Sequence, residues 1–420
     1  MAIAEAEERQ IACPQCRTEL PVEPGYAPWC DRCGWNVQAD EPPPAPNLIV
    51  RAYESLGRRQ SQRLFEGLLK HPTARRTLTP ADLAAFVVAA LVHGVTLACV
   101  ALGLAAIVWA WPNPFGFLIA CPLFLLAWLL APQLPPRPDI VLDRRDFPAH
   151  YALADAVADA LGTTRVAGIA FDMEFNAAFG RVGWRRHNIM QLGAPFWAIL
   201  DDGERTALMA HELAHGANRD PNRGFFVGGA ITTLAYWQRI LNPPVHVEGG
   251  DPVSLGMFAL RCLSLIPGGL LFILSHLLWR SSQRAEYLAD HLAATVGGSA
   301  AVLSLLRKLD FERDYRHVVQ WVAQGRKQGL FETLRQRVAW VPERELERRH
   351  RAAQSGAARL DVSHPPIARR IALLDARPMP PLASVAGALD HEKLAAEIAA
   401  IEEAFERDLV VFYDQPWRWS

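Results

Sequence analysis

The chain has 420 residues, 51% of them hydrophobic, and a formal net charge of −1. That length allows two or three domains, and the near-neutral balance argues against nucleic acid as the main partner. A mean hydropathy of +0.05 with 21% charged residues requires the apolar residues to be concentrated in segments.

The first ten residues mix Glu and Arg with no apolar run, which does not read as a signal peptide. Cys13-Pro-Gln-Cys16 and Cys30-Asp-Arg-Cys33-Gly34 follow. Two CxxC pairs at short range aim four thiolates at one metal, and Gly34 suits the turn after the second pair. Disulfides would need an oxidising compartment, and a segment this short holds no core without metal. Residues 1–40 are therefore expected to form a zinc ribbon, serving structure or docking to a protein partner. Its mixed charge offers no basic face for DNA.

Pro42–Pro46 is a stiff linker. Residues 47–80 interleave Arg59, Arg63 and Lys70 with Leu64, Leu68 and Leu69. This basic amphipathic stretch suits an anionic membrane surface or an ordinary surface helix equally. From Leu83 to Pro136 no residue is charged, and Trp111-Pro-Asn-Pro114 divides the run. Residues 81–136 thus read as a transmembrane hairpin. Arg75, Arg76, Arg144 and Arg145 flank it, which places both ends in the cytoplasm by the positive-inside rule.

Residues 137–377 have the composition of a soluble domain. Strands are expected around Ile169–Phe171, Ala177–Gly180 and Ile189–Leu192. Asp201-Asp-Gly-Glu204 is a capping-box pattern that opens a helix. That helix carries His211-Glu212-Leu-Ala-His215. Positions i and i+4 share one helix face, so two imidazoles there can share one tetrahedral zinc, with Glu212 beside them as general base. Residues about 224–279 hold further apolar stretches, Gly224–Gln238 and Cys262–Trp279, that suit a second membrane hairpin or a packed helical insertion. After them comes Glu286-Tyr-Leu-Ala-Asp290 on a helix of its own. Glu286 is the carboxylate that a two-histidine site needs as its third ligand, and Asp290 is placed to hold a ligand histidine by its other nitrogen.

HELAH followed by EYLAD, with apolar hairpins before and between, resembles the HtpX and CAAX-prenyl-protease family of membrane zinc metallopeptidases. The resemblance covers about residues 80–375. It implies a mainly α fold with a small β-sheet, a zincin-like catalytic domain with transmembrane hairpins. It also implies roles for two further segments. Phe175-Asn176-Ala177-Ala178-Phe179 looks like the edge strand that pairs with substrate backbone. Ser363-His364-Pro-Pro-Ile-Ala-Arg369-Arg370 looks like the late motif whose histidine and arginine face the active site, here His364 and Arg370, with Arg369 the competing arginine.

The resulting expectation is a membrane-anchored zinc endopeptidase with its catalytic domain and ribbon in the cytoplasm. It would hold two zinc ions, one catalytic and one in the ribbon, and take protein or peptide substrates beside membrane lipids. The resemblance implies misfolded membrane proteins or prenylated peptides as the substrate classes. The alternative is a ribbon-bearing membrane scaffold without activity. The basic run Arg344–Arg351 reads as a solvated or membrane-facing helix surface. Residues 378–420 read as a separate C-terminal helix and aromatic tail.

Overall fold

A computed structural model describes residues 10–38, 48–70, 79–132, 138, 140–183, 185–217, 225–242, 255–355 and 365–414. The chain is mostly helical. Strands β1 (Gln10–Ala12) and β2 (Glu19–Pro21) form an antiparallel pair. Helix α1 (Leu48–Lys70) follows, then the apolar pair α2 (Pro80–Ala110) and α3 (Phe115–Leu129). Helix α4 (Pro148–Ala160) leads into strands β3 (Gly168–Asp172), β4 (Ala177–Val182) and β5 (His187–Gly193). Next come α5 (Ala194–Ala198), α6 (Asp202–Ala217), α7 (Phe225–Leu241) and α8 (Leu255–Gly297). The last third holds α9 (Ser299–Lys308), α10 (Glu312–Ala323), α11 (Leu330–Ala339), α12 (Glu343–Ser355), α13 (Ile367–Asp375), α14 (Ala383–Ala386) and α15 (His391–Asp414).

Helix α2 starts at a capping box. Asp82 N donates to Thr79 Oγ1 at 3.2 Å, and Thr79 N donates to the Asp82 carboxylate at 2.9 Å. Among the described residues, helices α2 and α8 are long and apolar enough to cross a membrane. They pack with α3 and α7. Ala85, Ala89 and Val92 of α2 meet Val227 and Leu234 of α7 and Leu274 of α8. Small residues let the backbones approach, and His93 Nε2 lies 2.8 Å from Phe226 O, tying α2 to α7. The outward faces carry Leu91, Leu97, Trp109, Leu118 and Leu265, all largely exposed. Apolar side chains facing outward over several turns suit lipid rather than water.

Helix α8 departs from the sequence reading. The span around Cys262–Trp279 and the helix carrying Glu286 are one continuous helix of 43 residues. The change from apolar to charged sequence near Arg280 changes only what the side chains touch; helical hydrogen bonding continues through it. The long apolar segment therefore runs without a break into the part of the helix that carries Glu286.

The sheet order is β3-β5-β4, with β3 parallel and β4 antiparallel to β5. Strand β4 is thus an edge. Below the sheet lies the main core, where Met190 and Leu192 of β5 meet Leu153 of α4, Trp197 of α5 and Met209 and Leu213 of α6. Helix α15 belongs to this core rather than standing apart. Leu394, Ile398 and Ile401 join it, and Glu397 caps α4 by accepting from Ala149 N at 2.7 Å and His150 N at 3.0 Å. Helix α1 turns Leu64 and Leu68 onto Tyr287 of α8 and Leu373 of α13, so this part of its apolar face is covered by protein.

Candidate active site and metal centres

The capping box predicted at Asp201 forms. Asp201 Oδ1 accepts from Glu204 N at 2.8 Å, and Glu204 Oε2 accepts from Asp201 N at 2.7 Å. Glu204 is buried and also accepts from Ser304 Oγ at 2.5 Å and Lys308 Nζ at 2.7 Å. The start of α6 is therefore locked to α9 as well as capped, and the register of the helix is set from that end.

That register turns His211, Glu212 and His215 into the interior, all buried. The two Nε2 atoms are 3.3 Å apart. Glu286 reaches them from α8, with oxygens 3.5 Å from His211 Nε2 and 3.4 Å from His215 Nε2. Nitrogens bound to one tetrahedral zinc at about 2.0–2.1 Å stand about 3.3–3.4 Å apart. The donor set, two imidazoles and one carboxylate, also fits zinc, and the three residues form a metal-capable group.

Behind the histidines, His211 Nδ1 lies 3.1 Å from Asp290 Oδ1. Asp290 in turn accepts from Arg370 Nε at 2.7 Å and from its terminal nitrogen at 2.6 Å, a bidentate pair. All three are buried. Burial alone would lower the His211 pKa; the Asp290 and Glu286 carboxylates outweigh it and raise it to about 9. The two carboxylates thus favour positive charge beside His211, the charge that a bound metal would bring. Between the two arginines left open by the sequence, Arg370 points into the site, and Arg369 lies half-buried on the neighbouring face. His364 lies outside the described residues. His291, one position beyond Asp290, lines a small cavity with Tyr287 and Leu68 away from the histidines.

Strand β4 lies against α6. Gly193 N donates to Asn176 O at 2.8 Å, and the register pairs Ala177 with Leu192 and Phe179 with Met190. Antiparallel alternation then directs the backbone groups of residues 177 and 179 away from β5, toward the open edge. The Phe179 ring meets the last turn of α6 at Gly216, where a Cβ would come within 2.6 Å of it. Sequence reasoning missed Gly216; a glycine ending a helix reads as a C-cap, and only the fold shows that it lets the strand approach the zinc-type helix.

The second centre matches its sequence signature. The Cys13 and Cys33 sulfurs are 3.7 Å apart, those of Cys16 and Cys30 3.5 Å, and all four cysteines are free. They form the other metal-capable group. Hydrogen bonding with Thr18 pulls the Cys16 thiol down to about 6, whereas desolvation pushes Cys33 up to about 12; a bound metal would require both as thiolates. Gly34 has φ +74°, as the turn after the second pair requires.

The model of peptidase family M48 matches residues 156–378, more than half of the chain. The chain belongs to peptidase family M48. Among curated proteins, it is 22% identical over 276 residues to a protease HtpX homolog of Pyrobaculum islandicum, covering 62% of this chain and 77% of that protein. A protease HtpX homolog of Pyrobaculum calidifontis is 25% identical over 244 residues, 56% of this chain and 70% of that one. Protease HtpX of Acinetobacter baylyi is 26% identical over 178 residues, 37% and 58% of the two chains. No solved structure gives a significant match. This M48 chain is accordingly an HtpX-like metalloprotease with membrane-capable helices, and the zinc of its family fits the His211, His215 and Glu286 group.

Proposed function

We propose that this M48 chain is a membrane-anchored zinc endopeptidase in which His211, His215 and Glu286 hold the catalytic metal. The convergence of their three ligand atoms carries the reading. Zinc bound there supplies Lewis acidity and brings the pKa of water down to about 7. Glu212, on the same helix and buried beside the histidines, takes a proton from the attacking water and delivers it to the leaving amine. Asp290 fixes the His211 tautomer so that Nε2 faces the metal. Arg370 acts as a positioning residue: it grips Asp290 bidentately behind His211 and lies 3.7 Å from a Glu286 oxygen. Oxyanion stabilisation is left to the metal and to His364. Substrate lies extended along β4, bonded through its main chain to residues 177 and 179, with Asn176 at the entrance.

The domain division supporting this is a ribbon over 1–40, the basic helical segment to 80, a membrane hairpin over 81–136, the peptidase over 137–377 and a C-terminal helix. Helices α2 and α8 cross the membrane, with the shorter α3 and α7 packed beside them as a hairpin partner or a packed insertion. Basic flanks place the peptidase on the cytoplasmic side. Because α8 runs unbroken from the membrane to Glu286, the active site stands close to the membrane surface, which suits membrane proteins as substrates and a role in their quality control. Glu212→Gln tests the assignment. It should retain metal and lose roughly 10²–10⁴-fold in peptide cleavage; cleavage at the wild-type rate would overturn it.

A further inference from the structure

The cysteine ribbon sits on the catalytic domain through arginines of one helix. Arg344 of α12 donates to Trp29 O at 2.8 Å, Arg348 to Val37 O at 3.0 Å and Arg351 to Asp31 O at 2.7 Å. Arg344 and Arg351 also lie over the Trp29 ring, 4.8 and 5.1 Å from its centroid. Trp29 is only 2% exposed. Of the residues so held, Asp31 lies within the Cys30–Cys33 turn and Trp29 and Val37 lie on either side of it. The three carbonyls are aimed by the turns that those cysteines close, since Cys30 N donates to Trp35 O and Gly34 N to Cys30 O, both at 3.0 Å.

Under the ribbon lies a buried network of charges. Glu345 accepts from Arg348 at 2.7 Å and from Arg349 at 2.9 Å. Asp314 of α10 accepts from Arg349 at 2.7 Å and from Arg337 of α11 at 2.8 Å. Arg337 stands 5.3 Å from the centroid of the ribbon's Tyr26. Buried ion pairs hold their geometry only while water is excluded and the remaining donors are satisfied. The ribbon supplies the second condition: Val37 O accepts from the Arg348 Nη1 that Glu345 leaves over. Helix α12 packs on α13, and α13 carries Arg370, the grip on Asp290 and so on His211.

The structure assigns the ribbon a function within its own chain: it is a metal-dependent clamp on α12 that keeps α13, and with it Arg370, seated behind His211. Its docking face is filled by α12. The ribbon's metal is thereby linked to retention of metal at the peptidase site, without either metal touching the other. This rests on the metallopeptidase reading only for the link to the second site; the clamp itself stands on the ribbon contacts alone.

The test uses the full-length chain in detergent and compares wild type with Cys30→Ser/Cys33→Ser, which disables the ribbon, and Arg344→Ala/Arg351→Ala, which leaves the ribbon's thiolates intact. Amide hydrogen exchange is followed over residues 343–355, and metal release to a chelator is followed in time. Both variants should exchange α12 at least tenfold faster, and both should release the His211-site metal several-fold faster; the arginine variant should still bind two metal ions per chain. Wild-type exchange of α12 in the arginine variant overturns the clamp. Faster exchange with wild-type metal release overturns the link to the peptidase site. A wild-type chain that binds metal only through its cysteines would overturn the metallopeptidase reading while leaving the exchange result to decide the clamp.

Discussion

The cysteine group takes all four donors from residues 13–33, beside two strands of three residues each. The histidine group takes its donors from α6 and α8 and its support from α13, elements brought together only by the folded domain. Around the cysteines the buried apolar set is small, Leu20 with Ile11 and Trp35 beside it. Around the histidines lies the main core of the protein. On the proposed reading, metal would make the structure in the first case, and the structure would make the metal site in the second. The same element would then be a folding ligand at one end of the chain and a reagent at the other.

The sharpest way to break this contrast is to remove each set of ligands. Cys13→Ser/Cys16→Ser deletes a structural site of the kind that contributes about 10–16 kcal/mol to small zinc domains. Residues 10–38 should lose their order outright. His211→Ala should abolish peptide cleavage and one equivalent of metal while the domain stays folded, because the Asp290–Arg370 pair remains intact behind it. Metal analysis with hydrogen exchange over residues 10–38 and 202–217 reads both. An ordered ribbon without its cysteines, or an unfolded domain without His211, would reverse the contrast.

A smaller effect is expected one layer out. Asp290→Asn keeps the shape but weakens the hold on His211 and removes the ion pair with Arg370, leaving Glu286 at 3.7 Å as the carboxylate near that arginine. Loss of such a partner lowers metal affinity or activity by about 10–100-fold. The ribbon has no equivalent carboxylate layer, so competition titrations should show a graded loss at the histidine site only. Unchanged affinity in Asp290→Asn would mean that the histidine alone sets the site.

How much of this was legible in the sequence follows the same division. Local spacing specifies the ribbon and the pair His211 and His215, because a CxxC turn and an i,i+4 helix face are set by backbone geometry. Glu286 and Asp290 were also readable, since they too are four apart on a helix. Long-range choices were not. Arg369 and Arg370 are adjacent and identical, and only the packing of α13 decides which reaches Asp290. The run Arg344–Arg351 looks solvated by composition, yet three of its arginines bind ribbon carbonyls; acceptors supplied by a distant backbone leave no trace in the sequence. Likewise the joining of a membrane span and the Glu286 helix into α8 was hidden by a change of polarity that the backbone ignores.

The smallest expected effect concerns a carboxylate that organises the fold with no metal at all. Glu397 of α15 accepts from two backbone amides at the start of α4 and lies 2.6 Å from His150 Nδ1. Burial pushes its pKa up, but the bonds from His150 and Ala149 outweigh that and hold it below the usual glutamate value. The folded state therefore prefers the carboxylate. Its contribution is present in full above the unfolded pKa of about 4.3 and fades as pH falls through the lower folded value. Glu397→Gln should lower stability by about 1–3 kcal/mol at neutral pH and flatten the decline in melting temperature below about pH 4.5. Acid also strips metal from histidine and thiolate ligands, so the comparison belongs in the His211→Ala background, with the ribbon present in both chains. Parallel acid slopes with and without Glu397 would show that this carboxylate contributes nothing to acid sensitivity there.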